Sequence, residues 1–100
     1  MFEKQAKHLT KKYPSLKNQL KNLVLDLRSN PIQGTSLGNH CYKLRMAITS
    51  KNKGKSGESR IIINVVVEEK NVYLLTIYDK SEKANITQVE LNQLLKYIPS

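Results

Sequence analysis

At 100 residues, with hydrophobic side chains at 39%, the chain has material for one modest core, which excludes a two-domain arrangement. Lys and Arg number 17 against 8 Asp and Glu, a formal net charge of +9 that attracts polyanions, nucleic acid first among them. An anionic membrane surface or an acidic protein fits that charge equally well. The excess is uneven: up to Arg60 there are 13 basic residues against three acids (Glu3, Asp26, Glu58), and from Ile61 onward four against five. Cys41 is the single cysteine, so no intramolecular disulfide can form, which suits a reducing compartment. No apolar run approaches the roughly 20 residues of a membrane span, and FEKQAKHL has no apolar signal core, so a soluble cytoplasmic protein is expected.

Phe2, Ala6, Leu9 and Tyr13 repeat at three- and four-residue steps and predict a first helix, ended by Pro14. Ser15 is the expected cap of a second helix, whose stripe is Leu16, Leu20, Leu23 and Leu27, widened by Val24. Asn30-Pro31 stops it, and the tight link makes the two helices nearly antiparallel. Residues 31–41 read as a loop. Tyr42–Ser50 then alternates, with Tyr42, Leu44, Met46 and Ile48 on one face and Lys43, Arg45, Ala47 and Thr49 on the other. Residues 51–59 form a polar, basic loop. Arg60–Glu68, largely Ile and Val, is expected to be a central strand buried on both faces. A hairpin turn at Glu69-Lys70-Asn71 leads to a third strand, Val72–Lys80. Thr87 and Glu90 match a capping box opening a last helix, Gln88–Tyr97, which ends before Pro99. The order α-α-β-β-β-α with short links predicts an α+β fold in which two N-terminal helices pack on an antiparallel meander, a two-layer sandwich with a short C-terminal helix.

Several familiar sites are marked down. Gly54-Lys55-Ser56 resembles the end of a phosphate-binding loop, but Thr49 stands where that motif needs glycine, and a strand rather than a helix follows. His40 beside Cys41 is short of a metal set, and His8 is far away in sequence, so no metal and no cofactor are expected. His8 reads as a solvent-facing helix residue and Cys41 as a small buried filler, with no base in view to activate it. His40 stays open as a lining residue of an RNA site.

The basic residues remain. Lys43 and Arg45 share a strand face, Arg60 opens the central strand, and Tyr78 and Lys80 share a face at the end of the third. The register is not fixed by sequence. If the polar faces align, these cations and one phenol meet over the sheet, where they can bind a phosphodiester and stabilise the extra charge of a pentacovalent transition state. An RNA 2′-hydroxyl would be the internal nucleophile, and a lysine or tyrosine of lowered pKa would accept its proton, with no metal required. The bland alternative is that Lys43 and Arg45 are the solvated face of an edge strand and Lys80 a strand terminator. Lys51, Lys53 and Lys55, with Lys83, are candidates for sequence-blind phosphate contacts; the loop lysines also read as a plain solvated loop.

Gly34-Thr35-Ser36-Leu37-Gly38-Asn39, Cys41-Tyr42-Lys43-Leu44-Arg45, Gly54-Lys55-Ser56-Gly57, Arg60-Ile61-Ile62 and, most strongly, Val72 to Lys83 resemble the RelE-like branch of the RelE/ParE toxins. The resemblance covers nearly the whole chain through the order and spacing of these segments. It implies the toxin of a type II toxin–antitoxin pair, whose RelE-like members cut mRNA in the ribosomal A site without metal. It also implies a cognate antitoxin that wraps the toxin, giving a toxin–antitoxin hetero-oligomer that represses its own operon. Carried over by motif, the strand cations of the family fall on Lys43 and Arg45, the arginine opening the next strand on Arg60, and the basic residue ending the last strand on Lys80. Two features depart from the pattern. Relatives begin with a short strand, whereas Met1-Phe2 already sit in a helical pattern, an arrangement expected to leave a sheet edge uncovered. Ile86 stands at about the place where some relatives carry an active-site tyrosine, with Tyr78 as the possible substitute.

Two other functions compete with the endonuclease. A ParE-like inhibitor of DNA gyrase shares the fold, but has no need for the strand cations to converge. A nonenzymatic RNA-binding module needs only charge, yet one Phe and five Tyr form no interleaved pattern for stacking bases.

Overall fold

The computed structural model describes residues 2–48, 57–66, 71–83, 85–96 and 98. Along the chain these form α1 (Phe2–Lys12), α2 (Leu16–Ser29), β1 (Thr35–Gly38), β2 (Cys41–Ile48), β3 (Gly57–Val66), β4 (Asn71–Asp79) and α3 (Gln88–Leu95). The strands make one antiparallel sheet in the order β1-β2-β3-β4. The fold is the expected α+β meander with two N-terminal helices and a short C-terminal one.

In α1, Glu3 lies in the first turn and Lys11 and Lys12 in the last, each complementing the helix dipole. Pro14 keeps the helix from continuing. α2 presents Leu16 and Leu27 fully to the core, with Leu20 and Leu23 packed beside them. Ser15 does occupy the N-cap position, but it does not cap. Its backbone is already helical (φ −66°, ψ −20°), and its hydroxyl donates to Gln19 Oε1 at 3.2 Å instead. A serine with helical dihedrals cannot turn its oxygen onto the following amides.

β1 falls inside the stretch read as a loop. Its four residues lack an apolar alternation, and only Leu37 is partly buried. Backbone pairing rather than side-chain burial makes it a strand: Thr35 pairs with Lys43 and Ser36 with Tyr42, and a bulge follows before Gly38 meets Cys41. Gly34, at φ 86°, lets the chain turn into this pairing, and a Cβ there would collide with the Lys43 carbonyl oxygen.

β3 is central and buried along nearly its whole length, as its Ile/Val run requires. It starts at Gly57, three residues before the expected Arg60. Its two faces feed two cores. Ile61, Ile63 and Val65, with Leu44, Ile48 and Ile77, pack under Leu9, Tyr13, Leu16 and Leu27 of the helical layer. On the other face Ile62, Cys41, Leu75 and Tyr78 pack with Leu91 and Leu94 of α3. A register shift in β4 between the partners of Ile62 and Ile63 accommodates this second cluster. α3 begins with the predicted capping box: Thr87 Oγ1 accepts from the Glu90 amide, and the Glu90 carboxylate accepts from the Thr87 amide, both at 3.1 Å.

Two contacts fix the end of the sheet where the basic residues gather. At the outer edge of β4, Gln5 Oε1 accepts from the Ile77 amide (3.3 Å) and the Thr76 hydroxyl (2.6 Å), so α1 closes part of the edge expected to be open. Asp79, fully buried, accepts from the Tyr13 hydroxyl and from the amide and hydroxyl of Ser81, all at 2.9 Å. This carboxylate ties the end of α1 to the end of β4. The expected turn at Glu69-Lys70 lies outside the described residues, and Asn71 is the first residue of β4.

Candidate active site

Strand parity and register set the site. Arg45 on β2 stands opposite Arg60 on β3, which stands opposite Tyr78 on β4, one row across three strands on the face away from α1 and α2. In the next row Ala47 pairs with Glu58, and the Lys80 amide donates to the Glu58 carbonyl at 2.9 Å. The side chains then converge. Arg45 Nε is 3.8 Å from Glu58 Oε1, while Arg60 Nη2 and Lys80 Nζ are each 3.5 Å from Glu58 Oε2. Arg45, Glu58 and Lys80 line a cleft of about 490 Å³ together with Ala47, Gly57, Asp79 and Ser81, while Arg60 is buried and is not part of that lining. Two arginines directly opposite on neighbouring strands repel each other, and the Glu58 carboxylate offsets that repulsion.

Glu58 was missed at the sequence level because it falls in a polar run assigned to a loop. Its parity with Arg60 was the available signal, once the strand is extended back by two residues.

The cations differ in environment. Arg45 and Lys80 reach into solvent, but Arg60 is only 4% exposed and its Nε has no hydrogen-bond partner among the described residues. The Tyr78 hydroxyl, on a residue 9% exposed, is likewise buried, with the Ile86 backbone beside it. A buried donor left without a partner costs on the order of 1–3 kcal/mol, and Arg60 Nε is such a donor among the described residues.

Burial pushes the Tyr78 phenol above its ordinary value, and the nearby Arg60 charge opposes that only in part. The direction of this shift disfavours the tyrosine of the two alternatives, lysine or tyrosine, expected from sequence as a base of lowered pKa. Because the folded value is raised, its stabilising contribution is complete below pH 10 and is lost as pH rises through the folded value. Tyr78→Phe is expected to change stability at pH 7 by no more than about 1 kcal/mol, and to flatten the loss of stability above pH 10, as read by denaturant titration across pH.

Lys43 shares the face of Arg45, but its cross-strand partner is Ile62, one step along the sheet, and it makes no ion pair among the described residues. Lys83 leans the other way, pairing with Glu90 of α3 while its Nζ lies 5.7 Å from the centre of the Tyr78 ring. Lys51, Lys53 and Lys55, with the Gly54-Lys55-Ser56 segment, lie outside the described residues. His8 is exposed on α1, and His40, at φ 61°, is exposed in the β1–β2 turn. Cys41 is fully buried, and burial raises its thiol above the usual range despite the Asn64 amide 3.4 Å from its sulfur, which fits a core filler. No group of three or more His, Cys, Asp or Glu suited to a metal occurs among the described residues. At the far end of β3 and β4 a larger groove of about 570 Å³ is apolar apart from Arg28 and Asn71, so it lacks the charges of the first cleft.

A toxin-family model, described as the RelE toxin of the RelE / RelB toxin-antitoxin system, matches residues 1–98. The chain belongs to the RelE toxin family. As a RelE-family toxin it has an antitoxin as its implied partner. No helix among the described residues is long and apolar enough to cross a membrane. The family also includes ribonuclease toxins, which gives the meeting of Arg45, Arg60 and Lys80 a chemical context.

Proposed function

We propose that this toxin is an endoribonuclease that cuts mRNA on the ribosome without a metal ion, with Arg45, Arg60 and Lys80 gripping the scissile phosphate. The observation that carries this reading is the approach of all three cations to within 3.8 Å of one carboxylate, Glu58, which lines a cleft with Arg45 and Lys80. In the reaction the 2′-hydroxyl oxygen attacks the adjacent phosphorus, its proton passing to water, and the bond to the 5′-oxygen breaks, that oxygen taking a proton from water. The products are a 2′,3′-cyclic phosphate and a 5′-hydroxyl end. The phosphoryl oxygens gain negative charge at the transition state, and preset cations stabilise that charge more than they stabilise the ground state. Arg60, buried beside Glu58, adds its positive charge close to the phosphate, and Tyr78 stands beside it in the same row as a buried neutral phenol. Lys43, on the same face, fits a contact to a neighbouring phosphate, and Lys51, Lys53, Lys55 and Lys83 fit flanking contacts that carry no sequence preference. The cytoplasm, where ribosomes and messages are, is the matching compartment.

Arg45, which is exposed and replaceable without a core defect, gives the direct test. Arg45→Ala is expected to lower cleavage about tenfold or more and to relieve growth arrest on expression, with an unchanged circular dichroism spectrum. Primer extension on cellular messages after induction reads the cuts. Uncut messages together with inhibited gyrase supercoiling would select the protein-inhibitor reading instead.

A further inference from the structure

Glu58 has no assigned role in the reaction above, yet it occupies the centre of the site. Its carboxylate faces Arg45, Arg60 and Lys80 at 3.5–3.8 Å, distances of charge attraction rather than hydrogen bonding, and the group is 26% exposed. It therefore sits where an anion is wanted without being locked there. We propose that Glu58 is a built-in counter-ion that stands in the place of the substrate phosphate and is displaced when RNA binds. The proposal rests on the phosphate-gripping role of the three cations.

The physics has two parts. Without an anion between them, three like charges this close repel, and Arg60, being buried, cannot relieve that repulsion by moving into water. Glu58 thus keeps the empty site assembled. Once a phosphodiester enters, it provides the same charge, and the carboxylate becomes a competitor on a flexible side chain with open solvent beside it. The competition weakens binding of any one phosphate. It favours substrates that bring further contacts, as a message held on a ribosome does, over free RNA.

The test is equilibrium binding, by fluorescence anisotropy, of a single-stranded RNA oligonucleotide 2′-O-methylated throughout, which has no internal nucleophile. Glu58→Gln keeps the shape and removes the charge; Glu58→Asp keeps the charge. Glu58→Gln is expected to bind about fivefold tighter than the original chain at low salt, and its log K against log salt line to steepen by about 0.7, one ionic contact on a single strand. Glu58→Asp is expected to stay close to the original slope. Equal or weaker binding by Glu58→Gln overturns the proposal, and so does an unchanged slope. A fall in cleavage rate with unchanged binding assigns Glu58 to proton transfer and also overturns it. The two ideas fail separately. Tighter binding by Glu58→Gln in a chain that cuts no message removes the nuclease reading alone, and cleavage lost with Arg45→Ala but binding indifferent to Glu58→Gln removes the counter-ion alone.

Discussion

Arg60→Lys is expected to reduce message cleavage by about 10²–10³-fold while the chain stays folded. The charge is retained, so the loss measures geometry. Arginine presents a rigid fork of donors, and in this site Nη2 lies 3.5 Å from Glu58 Oε2 while Nε is buried with no partner among the described residues. A lysine ammonium is a single compact charge and cannot present two fixed donors to a phosphoryl group. Arg60 is also the one member of the trio taken out of water, where its interaction with a developing charge is least screened. Arg45 and Lys80 are screened by solvent, and their replacement should cost less. Single-turnover cleavage on programmed ribosomes gives the ratio, and a thermal melt beside it checks the fold. Cleavage within threefold of the original chain would remove Arg60 from the reaction.

Asp79→Ala is expected to be the most destabilising single change, at about 3 kcal/mol, a fall in Tm of roughly 12–24 °C for a domain of this size. The carboxylate is fully buried and collects the Tyr13 hydroxyl and both donors of Ser81. Removing it takes the carboxylate acceptor from the buried Tyr13 hydroxyl and releases the turn that follows β4. Tyr13→Phe removes one donor and leaves the carboxylate its Ser81 bonds, so its cost should be about 1–2 kcal/mol. In the double variant the two costs should sum to more than the measured loss, since they share one hydrogen bond. Chemical denaturation of the four proteins closes that cycle. Additive costs would show that the α1–β4 tie carries no energy of its own.

The helices and the three long strands were legible because their apolar residues repeat at 3.6 and 2.0. β1 was not, because its pairing with β2 uses backbone groups and a bulge and leaves no apolar pattern to read. The second core was half legible. An Ile61–Ile62–Ile63 run buried on both faces demands a cover on each, and once the N-terminal helices take one face only α3 can take the other. Arg45, Arg60, Tyr78 and Lys80 were picked out as candidates by parity, but their meeting depends on register, and the loops between strands do not encode register by their length. The pairing of Arg45 with Arg60 and of Arg60 with Tyr78 is a fact of the fold alone. Glu58 was hidden for a different reason: an acid inside a lysine- and glycine-rich stretch reads as solvated loop until the strand is seen to begin at Gly57.

The most direct test is the chemistry of the cut ends. Purified toxin is added to ribosomes holding a defined message, with a chelator present, and the fragments are resolved by their termini. The proposed reaction gives a break in the codon at the A site with a 2′,3′-cyclic phosphate upstream and a 5′-hydroxyl downstream, and Arg60→Lys suppresses it. An intact message, or fragments with 5′-phosphate ends that form only when metal is supplied, would contradict it.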